Sequence, residues 1–178
     1  MTDKNTCADA RTRLREALER ELLDSIPLTR TMQLRISAWD ADTLNLSAPL
    51  APNINDKGCA FGGSLSSTLT LAGWALIRLA ADLRRTGCDI YVQDSTIRYL
   101  APVWGDFTAV ARLDDDDSFD EFFAKLKARQ KARVGVRCAV AGADGTPACV
   151  LTARFVALAG EHAPRARDAA QCSVDVQA

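Results

Sequence analysis

The sequence predicts an α+β domain in which a curved antiparallel sheet wraps one long central helix, and three observations carry that expectation. Residues 65–83 are apolar on nearly every side of a helix, with Leu, Ala, Trp and Ile recurring throughout. A helix of that kind has to be covered on every side. The segments that follow, at 90–100, 107–113, 133–140 and 149–158, have the apolar patterning of strands. A chain of 178 residues has room for one domain and one core. The economical cover for the helix is therefore a single, strongly curved sheet.

Ahead of that helix, residues 9–23 read as a surface helix, because Leu14, Ala17, Leu18 and Leu22 recur at three- and four-residue spacing among Arg and Glu. Pro27 marks its end. Two short strands come next: Met32, Leu34 and Ile36 alternate with polar neighbours, as do Leu44, Leu46 and Ala48, with a turn over 39–42. Residues 49–63 hold two prolines, two asparagines and three glycines, so regular structure stops there. Loops of that length within a compact domain are often functional. The long helix is expected to end near Gly87 as its C-cap. Further on, Ser118 and Glu121 form a capping box ahead of a helical stripe of Phe119, Phe122, Phe123 and Leu126. The four aspartates 114–117 read as a solvated cap at the start of that helix. The organisation is a helical extension over 1–27, a domain over 28–159 with a helical insertion near 117–128, and a flexible tail over 160–178.

Composition excludes several classes of function. Lys and Arg number 22 against 23 for Asp and Glu, a net charge of −1, so the chain has no basic footprint for nucleic acid. Six cysteines form no Cys-x-x-Cys pair, and the single histidine, His162, falls in the tail. Neither a zinc spacing nor a Ser-His-Asp arrangement can be assembled from that set. The glycine-rich dinucleotide and phosphate loops and the Gly-x-Ser-x-Gly elbow are missing too. No metal and no cofactor are expected. The chain opens on no apolar leader, and residues 65–81 are too short and too interrupted, by Gly73 and Arg78, to span a bilayer. The expectation is a soluble cytoplasmic protein with reduced thiols.

The positive chemical signal is the loop that feeds the long helix. Gly62 and Gly63 let a ligand or another backbone come close, with Ser64 opening the helix beside them. The free amides of the first helical turn point at the same place, where they can donate to a carbonyl or a developing oxyanion. The plainer account of these glycines is close packing where the chain enters the sheet. Asn55 can orient a water or brace the loop. Among the acids, Asp56 lies near the glycines. Asp94 alternates with Ile90, Val92 and Thr96, which puts all four on one strand face where burial would favour a base. An ion pair with Arg98 is the alternative.

In its order of strand, loop, long apolar helix and strands, the chain resembles a hotdog-fold protein. It resembles more closely the thioesterase domain of that superfamily sometimes found fused behind an acetyltransferase domain. The matching stretches are Asn55-Asp56-Lys57-Gly58-Cys59-Ala60-Phe61-Gly62-Gly63-Ser64, then Leu71-Ala72-Gly73-Trp74, then Asp94-Ser95-Thr96-Ile97-Arg98-Tyr99-Leu100-Ala101-Pro102-Val103. Together they spread the resemblance over residues 28–158. In the commoner hotdog thioesterases an Asn stands six positions before a His-Gly-Gly, and an Asp, Glu or Thr stands nine after that His. Those positions fall here on Asn55, on Phe61 with Gly62 and Gly63, and on Thr70. Phe61 thus replaces the His, and Thr70 offers a hydroxyl, a poor base, in place of a carboxylate.

The resemblance implies hydrolysis of an acyl thioester, on coenzyme A or an acyl carrier protein, to free acid and thiol. A glycine amide polarises the carbonyl, and Asn55, Thr70 and Asp94 are the candidates for handling the water. The acyl chain rests among Phe61, Leu65 and Leu69, beside Ser64. Lys125, Lys127, Arg129, Lys131, Arg133 and Arg137 place six basic residues in thirteen. They are either a helix's solvated face or a seat for coenzyme A phosphates or an acidic carrier protein, with Lys125, Lys127 and Lys131 foremost. The missing histidine keeps open a non-catalytic acyl-thioester-binding or regulatory module. Hotdog proteins pair into dimers with continuous sheets, and unpaired sheet edges need cover in any case. A homodimer, or a dimer of such dimers, is expected.

Overall fold

The first helix, α1 (Asp3–Ser25), lies along the first strand, β1 (Arg35–Trp39), and its side chains stand in for a missing neighbouring strand. Glu19 accepts the Ile36 amide at 2.7 Å, while Arg15 and Arg11 donate to the carbonyls of Ser37 and Asp40 at 3.4 and 3.2 Å. The three positions recur every four residues, so they share one helix face. Leu18 and Leu22 turn into the core. The computed structural model describes residues 3–40 and 42–160, with side chains from residue 10 onward. The tail expected over 160–178 falls, from residue 161, outside the described residues.

Pro27 ends α1 and also begins a short helix, α2 (Pro27–Thr31), where its fixed φ suits the first turn. The fully buried Thr29 hydroxyl lies 2.8 Å from the Leu22 carbonyl and 2.7 Å from that of Ile26, binding the two helices together. This turn displaces the strand expected from Met32. Met32 caps α2, Gln33 takes a φ of 56°, and β1 starts at Arg35.

Beyond β1 come β2 (Thr43–Ala48), the long helix α3 (Gly62–Leu83), β3 (Cys88–Tyr99), β4 (Phe107–Leu113), α4 (Phe119–Arg129), β5 (Lys131–Ala141) and β6 (Pro147–Ala159). The six strands form one antiparallel sheet in the order β1-β2-β4-β5-β6-β3. Helix α3 packs on its inner face. At Gly73 the helix comes so close that an added Cβ would stand 3.1 Å from the Phe155 ring and 3.2 Å from Val136. Leu69, Leu76, Ile77 and Leu79 are wholly buried there. The opposite side is another matter: Ser66, Ser67, Thr70, Leu71 and Trp74 are only half-buried. The fold is the expected α+β hotdog arrangement, but its own sheet covers α3 on one side rather than all round.

The end of α3 also differs from expectation. Arg85, not Gly87, takes the left-handed conformation at φ 52°. The Thr86 amide reaches the Ala81 carbonyl at 2.9 Å and the Arg85 amide reaches Asp82 at 3.0 Å, the paired bonds of a Schellman end. Helix α4 is the expected insertion. Ser118 accepts the Asp120 amide at 3.2 Å, but Glu121 pairs with Lys125 at 3.0 Å instead of closing the box. The acidic run does more than sit in water. Asp117 accepts the Gly135 amide at 2.9 Å, and Asp114 and Asp115 hold Arg137 at 2.8 and 3.1 Å. Arg84, at the end of α3, lies 4.9 Å from the Phe123 ring centre and bonds Asp120 at 3.0 Å, fixing α4 in place.

Close packing at Gly73 sets the first prediction. Gly73→Val forces the Phe155 ring and Val136 apart and should destabilise the protein by about 2 kcal/mol or more, the upper range for overpacking. Urea denaturation checks it: the midpoint falls with the slope unchanged. An unshifted midpoint would mean the helix and sheet are not in contact at this point.

Candidate functional site

The loop before α3 is held by its own polar groups. Asn53, buried, donates through Nδ2 to the carbonyls of Met32 and Pro49 at 2.9 and 2.8 Å, and its main-chain carbonyl accepts the Phe61 amide at 2.7 Å. Ile54 bridges to Ala60, whose amide bonds the Val103 carbonyl at 2.8 Å. Between them Asn55 closes a tight turn. Its Oδ1 accepts from the amides of Lys57 and Cys59 at 2.8 and 3.3 Å, and its Nδ2 meets Cys59 Sγ at 3.3 Å. Gly58, at φ 85°, lets the chain reverse. An amide oxygen has two lone pairs and an amide nitrogen two hydrogens, so one N–H is left for anything else.

Phe61 is the N-cap of α3 in an extended conformation, and no side chain caps the helix. The first-turn amides of Gly62, Gly63 and Ser64 therefore carry the positive end of the helix dipole toward the loop. Two aromatic rings enclose the place. A Cβ on Gly63 would run into the Phe61 ring, and one on Gly62 would fall 3.4 Å from the Tyr99 ring. The Tyr99 hydroxyl donates to the Gly62 carbonyl at 3.1 Å. Phe61 and Tyr99 are each more than half exposed and give the helix start an apolar rim, and Ile54, Leu100 and Trp104 are exposed as well. A rim of this kind marks a surface that takes a ligand or a partner.

A half-open slot runs from there between α3 and β3. The register pairs Val92 with Phe155, Ser95 with Ala153, Ile97 with Leu151 and Tyr99 with Cys149. Each of those partners is buried in the core, so the four β3 residues face inward. Three of them are nevertheless exposed and Ile97 half-buried, although α3 touches this strand at Gly62 against Tyr99 and at Trp74 against Ile90. Thr70, Leu71 and Trp74 form the helix wall of the slot, and the Trp74 indole bonds the Ile90 carbonyl at 3.1 Å.

The sequence-derived candidates divide on these facts. The structure sets Phe61, Gly62, Gly63 and Ser64 at the start of α3 with Thr70 two turns along the same helix, while Asn55 lies opposite Cys59 in the turn of the loop. Leu65 and Leu69 are 3% and 0% exposed, on the side turned into the sheet and away from the slot. Asp94 is displaced by a β-bulge at Gln93. The inserted residue flips the alternation, so Asp94 pairs with the exposed Arg154 on the outer face while Ile90 and Val92 face inward. It is exposed, and five strand residues, about 16 Å, separate it from Tyr99. The burial expected to make it a base is absent. Asp56 is exposed and paired with Lys57 at 2.8 Å. Lys125, Lys127 and Lys131 are exposed at the far end of α3, a helix of about 33 Å; within one chain they do not meet the glycines. Burial pushes the Cys138 thiol up to about 12 and Cys149 up to about 11, so both stay protonated and inert at neutral pH.

Tyr99 and Trp74 are the residues the sequence reading missed. The signal for Tyr99 was an aromatic at the end of a strand just before Pro102, and for Trp74 a bulky indole on the hydroxyl-rich side of α3, but their partners lie far off in sequence. Among the described residues no group of His, Cys, Asp and Glu could hold a metal ion, and no helix is long and apolar enough to cross a membrane.

The fit of Phe61 over Gly63 gives the second prediction. Gly63→Ala collides with the ring, whereas the same change in a Phe61→Ala background should cost little. The double-mutant cycle should return a coupling of about 1 kcal/mol or more, measured by denaturation. Additive effects would show that the ring does not rest on Gly63 in solution.

Comparison with known proteins agrees with this architecture. A family model described as "Putative thioesterase (yiiD_Cterm)" matches residues 15–159. The crystal structure of a protein of unknown function from Chlorobaculum tepidum is 29% identical, with a TM-score of 0.79, covering 84% of this chain and 96% of that one. A "putative thioesterase" from Shewanella oneidensis is 30% identical, with a TM-score of 0.75, over 83% of this chain and 99% of its own.

Proposed function

The chain belongs to this hotdog thioesterase family, matched over residues 15–159, and from that membership we propose that it hydrolyses acyl thioesters to free acid and thiol. The observation that carries the reading is the uncapped start of α3, where the first-turn amides open onto an apolar rim and a half-open slot. The thioester carbonyl rests over the amides of Gly62 and Gly63, and the acyl chain runs into the slot from Phe61 and Ser64. Water adds to the carbonyl carbon, and the amides hold the oxyanion that forms. The C–S bond then breaks, and the thiolate leaves and takes up the proton that the attacking water gives up. Donors of this kind contribute on the order of 3 kcal/mol each. The Thr70 hydroxyl and the remaining Asn55 N–H orient the water, and Asp94, facing outward, is left to the ion-pair role.

The carrier is coenzyme A or an acyl carrier protein, and the working unit is a homodimer. The edge of β1 is closed by α1, whereas β3 leaves one whole edge unpaired over twelve residues, the kind of edge that recruits another strand. Antiparallel pairing of β3 with its copy covers the slot. It also sets the Cys88 end of one chain, with Lys125, Lys127 and Lys131 nearby, beside the Tyr99 end of the other. The basic cluster then reaches the substrate's phosphates across the interface.

Release of free thiol from acyl-coenzyme A tests the activity. Asn55→Ala should lower turnover at least about tenfold, or about 1.4 kcal/mol, with the fold intact by circular dichroism. Undiminished turnover would sink the assigned role. Phe61 in place of a histidine favours a second reading, an acyl-thioester-binding module. Binding without thiol release at every chain length would establish that one. Light scattering tests the assembly: the mass should be about twice 19.2 kDa, and a monomer would remove the shared lysine site with it.

A further inference from the structure

We infer that Trp74 is the residue that sets the length of acyl chain the slot accepts, an inference that rests on the proposed acyl-thioester reading. The slot is open at one end and shut at the other. Toward Tyr99 its β3 wall is exposed, at Val92, Ser95 and Tyr99, and α3 lines it with Ser67, Thr70 and Leu71. At the far end Ile90 is 9% exposed, and the Trp74 indole crosses from helix to strand to bond its carbonyl at 3.1 Å. This bond is what holds the ring across the gap. A tryptophan donates only through its indole N–H and buries that group where an acceptor is fixed, so the ring cannot swing aside without losing the bond.

The distance is set by the helix. Gly63, beside the thioester carbonyl, and Trp74 are eleven residues apart on α3, or about 16 Å along its axis. A chain that fits within that length gains from each methylene it buries, about 0.8 kcal/mol per CH₂. A longer chain meets the indole, and the gain stops. Leu71 lies one turn short of it on the wall, and Leu65 and Leu69 face the sheet.

The test measures binding, so it does not depend on turnover. Affinities of S-alkyl-coenzyme A thioethers, which cannot be hydrolysed, are measured by calorimetry from ethyl to octadecyl. Wild type should gain affinity with each step and then break to a plateau. In Trp74→Ala the break should move to longer chains, so that the affinity ratio of the longest to a short thioether rises at least about tenfold. Trp74→Phe, which keeps an aromatic ring in the helix but lacks the N–H, should move the break part of the way and guards against an Ala variant that fails to fold. A break unmoved in the folded Phe variant and in any folded Ala variant overturns the inference while leaving the hydrolase reading intact. Thiol release absent in wild type, with the break still moved by Trp74, removes hydrolysis and keeps the ruler. A wild type that binds none of the thioethers overturns the two together.

Discussion

A six-stranded sheet packed against α3 buries one side of that helix and leaves the other to something else. The sheet side is filled by Leu65, Leu69, Leu76 and Leu79, and at Gly73 the backbone itself meets Phe155. The other side alternates small hydroxyls with Leu71 and Trp74 and stays half open. Its polarity is a compromise between two demands: it must not be a greasy surface on an unassembled chain, yet it has to accept an apolar neighbour. Ser66 meets the first demand by turning its hydroxyl to the Gly63 carbonyl at 3.0 Å, which hides its polarity within the helix.

The two edges of the sheet show how the same backbone requirement can be met in opposite ways. At β1, groups that would pair with another strand are taken by Arg11, Arg15 and Glu19 of α1, so this edge is closed from within the chain. At β3 the Trp74 indole takes the Ile90 carbonyl, and the bulge at Gln93 twists the strand, held by Arg133, whose Nε donates to Gln93 at 2.7 Å. An edge that is long, twisted and unpaired combines the risk of aggregation with the opportunity for a specific partner. Because this edge forms one wall of the slot, assembly and site cannot be separated: whatever covers β3 also roofs the place where a chain would lie.

Much of the fold was legible because periodicity reports burial directly. The apolar α3, the strand of 107–113 and the Phe stripe of α4 each stand where their patterns placed them. The failures share one cause, a local signal overruled by a contact distant in sequence. Met32 alternated correctly with Leu34 and Ile36, yet the Thr29 hydroxyl bridging Leu22 and Ile26 wound the chain into α2 first. Gly87 was the better left-handed residue, but helix α3 ended earlier, where Arg84 had to reach Asp120 and the Phe123 ring. Asp94 shows the sharpest case, since a single inserted residue exchanges the faces of a strand, and nothing in the alternation of residues 90–98 announces Gln93. Of the candidate site, the loop and its glycines could be read from composition. The aromatic neighbours could not, because Tyr99 reaches Gly62 from 37 positions away.

Replacing a histidine with Phe61 changes what the site can do, not merely how well. A ring nitrogen there could take a proton from water; a phenyl ring cannot, and it lies over Gly63 instead. The Tyr99 hydroxyl has its hydrogen directed to the Gly62 carbonyl, so toward the slot it offers lone pairs only. With the acids facing outward or paired in solvent, the chemistry left to the site is polarisation by helix amides. Such donors act best where water is excluded and the local dielectric is low. On the proposed reading, the two rings set apolar surface beside the amides that a carbonyl would meet. Thioesters suit a site of this kind, because a thiolate departs without the protonation that a poorer leaving group requires. On the proposed reading, the site has to work through its helix amides and not through a base at position 61.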